Sequence, residues 1–124
     1  MPHEVKVDEA LGIVVARFEG TTLRDEVMEM VLAARTAAAA RGMNILYDMR
    51  MAKPGISSGE LFWLPREIPA LREPMAGRVR VASLTSAEGM PIAKVWETVF
   101  RNAGLEALAF SDEAAAVAWL TQAR

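Results

Sequence analysis

The chain has 124 residues, of which 52% are hydrophobic and 24% charged, and this composition is typical of one compact domain over residues 1–124. Its net charge of −2 provides no basic surface for nucleic acid, and the absence of cysteine excludes disulfides, thiolate catalysis and cysteine-ligated metals. The N-terminus lacks the basic and apolar segments of a signal peptide. We therefore expect a cytoplasmic protein.

Two segments at the N-terminus predict an antiparallel β-hairpin. Apolar and charged residues alternate over residues 4–8, which is the period of a half-exposed strand. A turn beginning at Glu9 separates them from a more apolar strand over residues 12–18.

A helix and a central strand are predicted next. Thr21 or Thr22 is expected to cap the helix, whose apolar residues recur at three- and four-residue spacing, and Gly42 is expected to end it. The third strand, over residues 44–49, is apolar without alternation, as in a strand covered on both faces. A loop over residues 50–55 leads to a second helix.

The second half of the chain repeats the alternation of strand and helix. Residues 78–84 and 105–110 predict strands, Pro91 is suited to the first position of the helix between them, and Ser111 or Asp112 is expected to cap a last helix. The order β-β-α-β-α-β-α-β-α predicts an α/β fold. Its five-stranded sheet is mostly parallel, with the first strand antiparallel.

Several short motifs, in this order and spacing, resemble the SpoIIAA-like family, which is related to the STAS domain. The resemblance extends over nearly the whole chain and reaches, more distantly, the lipid-binding lobe of CRAL-TRIO proteins. It implies a SpoIIAA/STAS-like fold. The motifs are Gly20-Thr21-Thr22 after the second strand, Leu46-Tyr47-Asp48 in the third, and Phe110-Ser111-Asp112-Glu113 with Ala116-Val117-Ala118-Trp119-Leu120 at the end.

The serine pair after the third strand has two interpretations. In phosphorylatable STAS antagonists the matching segment is Asp-Ser-Ser-Gly and its first serine takes the phosphate, so the resemblance implies a switch at Ser57. Here Ile56 replaces the aspartate, which argues against the switch. Ser57 and Glu60 also stand at the spacing of a capping box, a structural role that we favour.

Asp48 also has two interpretations. It falls near the carboxyl end of a predicted parallel strand, where open α/β sheets bind ligands. Arg50 and Lys53 follow closely, so a salt bridge or a turn-stabilising role is the structural alternative, and we favour it.

Four consecutive apolar residues, Leu61-Phe62-Trp63-Leu64, cannot all face one side of a helix. Pro65 and Pro69 weaken the same helix. The segment is either core packed from both sides of a broken helix or a movable apolar helix over residues 58–71. The residues expected to contact a ligand or membrane are Tyr47, Asp48, Leu61, Phe62, Trp63, Leu64, Ile68 and Trp96.

Three functional hypotheses follow. The first is a non-catalytic module that binds an apolar small molecule or a membrane surface, with peripheral membrane association or a homodimer as ways to cover the apolar segment. The second is a STAS-type regulatory module with a protein partner, and the third is an enzyme of unknown type. We expect no cofactor and no metal, because the sequence contains no catalytic motif and only one histidine, His3.

Overall fold

The computed structural model describes residues 3–57, 59–61, 63 and 79–122. Residues 59–61 and 63 have helical backbone, and the rest of the predicted second helix lies outside the described residues. The strands and helices are β1 (His3–Asp8), β2 (Ile13–Thr21), α1 (Arg24–Arg41), β3 (Asn44–Lys53), β4 (Arg80–Leu84), α2 (Met90–Asn102), β5 (Glu106–Phe110) and α3 (Glu113–Thr121).

The strands form one five-stranded sheet in the order β1-β2-β3-β4-β5. β1 pairs with β2 in antiparallel orientation, and each later neighbour is parallel. The predicted fold class is therefore confirmed. Because β2 to β5 run in the same direction, their carboxyl ends meet at one edge of the sheet.

β2 and β3 extend further than predicted. The predicted boundaries were residues 18 and 49, with a loop over residues 50–55, but pairing continues as far as Thr21 and Lys53. The charged residues of β3 and the glycine of β2 are typical of turns in sequence. The long parallel pairing of the two strands outweighs this local preference. Between the pairs Arg17–Asp48 and Glu19–Met51, β3 contains one extra residue, which is a β-bulge.

The two faces of the sheet have separate apolar cores. Helices α1 and α2 cover one face, where Ile45 and Tyr47 of β3 join the larger core cluster. Helix α3 covers the other face, where Leu46 packs with Leu120. Side chains that alternate along β3 therefore enter both cores, which confirms the prediction of a central strand covered on both sides.

The helix ends follow the sequence signals except at the start of α1. Gly42 ends α1 in the left-handed conformation (φ 65°), and the Asp112 carboxylate caps α3 by accepting from the Ala115 N–H at 3.1 Å. The predicted cap of α1 by Thr21 or Thr22 is wrong, because Leu23 occupies the N-cap without a side-chain bond. The Thr22 hydroxyl instead donates to the Lys53 carbonyl (3.2 Å) and accepts from the Gly55 N–H (2.8 Å). It thereby ties β2 to the loop after β3.

We expect Leu61→Ala to lower the free energy of unfolding by about 2–5 kcal/mol, because Leu61 is fully buried in the larger core cluster and truncation leaves a cavity. Urea denaturation measures the loss. Leu32→Ala, on the exposed side of α1, is the matched control and should change stability little. Equal effects of the two substitutions would contradict the burial of Leu61.

Candidate ligand-binding recess

A recess opens at the carboxyl ends of β3 and β4, on the face of the sheet covered by α1 and α2. Its cavity volume is about 50 Å³. The apolar part of its wall comes from Val27, Met49, Ile56, Ile92, Ala93 and Trp96. A smaller cavity of about 20 Å³ shares Met49, Ser83 and Trp96 with the recess and reaches Tyr47 and Phe100 behind it.

Three stacked aromatic rings lead from the wall of the recess into the core behind it. Trp96 and Phe100, one turn apart on α2, stack with ring centroids 5.3 Å apart. Phe100 stacks in turn on Tyr47 of β3 at 5.9 Å, with the rings nearly parallel. Such pairs supply large apolar contact area in a defined geometry, which holds Trp96 in place in the wall of the recess.

The Tyr47 hydroxyl lies at the inner end of this stack. Tyr47 is only 3% exposed, and its oxygen has no hydrogen-bond partner among the residues that the structure describes. Burial raises the pKa of the Tyr47 phenol above its usual value, opposed in part by the charge of Arg35, so the group stays neutral. An unpaired buried hydroxyl costs about 1–3 kcal/mol.

The loop after β3 closes one side of the recess because it lies directly against the end of β2. A Cβ on Gly55 would collide with the Thr22 carbonyl and the Thr21 methyl group, so only glycine permits this approach. The contact places Pro54 and Ile56 in the wall of the recess.

The structure brings together only part of the predicted ligand set. Trp96 lines the recess, Tyr47 lies behind it, and Leu61 belongs to the same core cluster. The helical residue Trp63 is 55% exposed. The other predicted contacts of this segment, at Phe62, Leu64 and Ile68, lie outside the described residues.

Asp48 is buried on the opposite face of the sheet and does not line the recess. Its carboxylate accepts from Arg50 Nε (2.9 Å) and Nη2 (2.8 Å), from the Arg50 backbone N–H (3.2 Å), and from Arg17 Nε (3.3 Å). Arg50 also bonds Glu113 of α3 at 2.8 Å. Burial alone would raise the pKa of Asp48, but the bonds from Arg50 and Arg17 outweigh it and lower that pKa. These contacts are the salt bridge that the sequence offered as the alternative to a ligand site.

Ser57 forms the predicted capping box. The Glu60 N–H donates to Ser57 Oγ (3.2 Å), and the Ser57 N–H and hydroxyl both donate to the Glu60 carboxylate (3.2 and 3.1 Å). The Leu61 N–H then donates to the Ser57 carbonyl at 3.1 Å. Ser57 is exposed, but its hydroxyl is already engaged in capping the helical residues.

Sequence reasoning missed two polar residues in the wall of the recess, Ser83 and Thr85. Both are buried near the end of β4, with Ser83 in the strand and Thr85 directly after it. The sequence signal that could have identified them is a pair of hydroxyl residues at the end of a predicted parallel strand.

Two other classes of site are absent from the described residues. No group of three or more histidine, aspartate or glutamate side chains is placed to hold a metal ion. No helix there is both long and apolar enough to cross a bilayer.

Comparison with known proteins shows the fold. Neither the family models nor the curated proteins gave a match. The chain is similar to the crystal structure of an uncharacterized protein of the DUF3478 family with a SpoIIAA-like fold from Shewanella loihica PV-4. The TM-score is 0.62 at 15% sequence identity, and the match covers 95% of this chain and 93% of the other. The fold is therefore SpoIIAA-like, as the sequence resemblance implied.

We expect Ser57→Ala to lower the free energy of unfolding by about 1 kcal/mol, because the substitution removes the cap of the Glu60 N–H. Thermal or urea denaturation measures it. Ser111→Ala, at another exposed serine, is the control and should have a smaller effect. Unchanged stability in Ser57→Ala would contradict the capping role.

We expect Asp48→Asn to cost about 2 kcal/mol at neutral pH, the scale of hydrogen bonds to charged groups. The pKa of Asp48 is lowered in the folded state from its ordinary value of 3.8. Its stabilisation is therefore fully present above that pH and is lost as the pH falls through the folded value. Urea denaturation from pH 7 to pH 2 should show the gap between wild type and Asp48→Asn shrinking below pH 4. A gap independent of pH would contradict the ion pair.

Proposed function

We propose that this protein is a non-catalytic module that binds a small, largely apolar molecule in the recess. The observation that carries the proposal is an apolar recess with Trp96 of the Trp96–Phe100–Tyr47 stack in its wall. A second cavity behind the recess reaches Tyr47, whose buried hydroxyl has no partner among the described residues. Ligand sites are usually concave and apolar with a few polar groups that fix orientation, and this recess is a small one that admits part of a short chain.

The size and polarity of the recess favour hydrocarbon over water. A single water needs about 10–15 Å³, which is much less than the space present, and it also needs two to four polar partners. Apolar side chains such as Met49, Ile56 and Ile92 offer none. Each methylene group that enters the recess gains about 0.8 kcal/mol, so a short hydrocarbon chain is the favoured occupant.

The chemistry of the lining supports binding rather than catalysis. The described side chains that line the recess include no histidine and no carboxylate, which are the commonest general acids and bases. The buried carboxylate nearest in sequence, Asp48, lies on the other face of the sheet in its arginine pairs.

Regulation at Ser57 is the second candidate, favoured by the exposure of Ser57 and by its position next to Ile56 in the recess wall. A phosphoryl group there would bring negative charge against Glu60, which now accepts from the serine, and would break the capping box. A protein partner that binds Ser57→Asp and wild type with different affinities would support this function instead, if the difference is the same with the recess filled or empty.

The test is a titration with 1-octanol, followed by NMR of methionine and isoleucine methyl groups. We expect saturable shifts concentrated at Met49, Ile56 and Ile92, because these side chains line the recess. Ala93→Leu should weaken binding about tenfold or more by filling the recess, since hydrocarbon would displace the ligand's own methylenes.

Ala39→Leu, at an exposed position of α1, is the matched control and should bind like wild type. Native mass spectrometry of the purified protein shows in the same preparation whether a ligand is carried and whether the protein is a homodimer. Chemical-shift changes spread over the surface would overturn the proposal. Equal binding by Ala93→Leu and Ala39→Leu would also overturn it.

A further inference from the structure

The N-terminus of α2 opens into the recess. Gly89, its N-cap, and Ile92, in its first turn, both line the cavity, and no side chain caps the helix. The first turn contains no acidic residue, and Pro91 has no N–H to donate. The Ile92 N–H has no acceptor among the residues described. A helix start of this kind carries a partial positive charge and favours an anion.

Two buried hydroxyls at the same place provide independent support. Ser83 and Thr85 are 6% and 3% exposed, and both line the recess. No side-chain hydrogen bond joins either of them to another described residue. The Thr85 backbone N–H is fixed by the Phe110 carbonyl at 2.9 Å. A Cβ on Gly89 would collide with Thr85 Oγ1, so this hydroxyl lies directly against the start of α2.

Among the described residues, the charged side chain that lines the recess is Lys53. It lines the recess and is exposed, and its ammonium group forms no salt bridge within the described part of the chain. Its backbone carbonyl is held by the Thr22 hydroxyl at 3.2 Å, which fixes the residue at the rim. Glu88, in the turn before α2, is exposed and is not part of the lining. The polar end of the recess is therefore electropositive.

We propose that the ligand of the recess is an amphiphile with an anionic head group, a carboxylate or a phosphate ester. The head group accepts hydrogen bonds from the Ser83 and Thr85 hydroxyls at the start of α2, and Lys53 lies at the rim. The hydrocarbon part lies along Met49 and Trp96. This inference rests on the proposed function and adds to it the chemical class of the ligand.

The selectivity follows from the types of polar group present. A hydroxyl can donate to an anion, and such charge-assisted hydrogen bonds are about twice as strong as neutral ones. A neutral alcohol would use the same hydroxyls without the charge. An amine would place a cation against Lys53 and the positive end of α2. The expected order of affinity at equal chain length is anion, then alcohol, then amine.

The test compares octanoate, octyl phosphate, 1-octanol and octylamine by the same methyl NMR titration, with wild-type protein. We expect one or both anions to bind at least about tenfold more tightly than octanol, and octylamine to bind most weakly. The two anions distinguish a carboxylate from a phosphate head group.

Thr85→Val and Ser83→Ala identify the hydroxyls. Both should reduce the advantage of the anion over octanol several-fold and lower octanol affinity less, because the alcohol uses the same hydroxyls through weaker, neutral hydrogen bonds. Thr98→Val is the matched control, because the Thr98 hydroxyl bonds only its own helix, at Lys94. Melting curves establish that each variant is folded. The comparison of head groups uses wild-type protein, so it does not depend on the variants.

The outcomes separate the two proposals. Octanol or octylamine binding in the recess as tightly as both anions would overturn the anionic head group and leave the proposed function intact. An anion preference that Thr85→Val and Ser83→Ala leave unchanged would overturn the assigned hydroxyls. Failure of all four compounds to bind would overturn the proposed function as well.

Discussion

The extra residue in β3, between its pairings at Asp48 and Met51, decides which face of the sheet the neighbouring side chains occupy. Before the bulge, Tyr47 faces α1 and α2, whereas Asp48 faces α3. After it, the alternation is shifted by one, so Ala52 lines the recess and Met51 is turned outward and exposed. In a regular strand, Met51 would face the recess and Ala52 would be turned outward.

Asp48 stabilises this irregularity. A bulge disrupts the ladder of backbone hydrogen bonds, and the Asp48 carboxylate accepts from the backbone N–H of Arg50 inside the bulge. The Arg50 side chain returns to the same carboxylate and continues to Glu113 at the start of α3. Asp48 therefore supports the recess from the opposite face of the sheet, without touching a ligand.

The sequence predicted a five-stranded sheet, the orientation of its strands and most helix ends, because these depend on periodicity and on caps such as Gly42 and Asp112. It did not predict the bulge or the length of β3, since these depend on pairing with β2, a non-local interaction. Proximity in sequence placed Tyr47 and Asp48 in one site, although the alternation of a strand separates them. Ser83 and Thr85 went unnoticed because two hydroxyls at the end of a predicted strand are a weak sequence signal, and only their burial and the absence of a bonding partner among the described residues mark them.

The recess is part of the core and not a cleft added to it. Val27 and Trp96 line the cavity and also pack in the larger core cluster, so an occupant would contact the same side chains that hold α1 and α2 on the sheet. A ligand bound there interacts with the folded state alone and raises its stability by mass action. The Tyr47 hydroxyl has no hydrogen-bond partner among the described residues, and an unpaired buried hydroxyl makes a core less stable than a fully apolar core of the same shape would be.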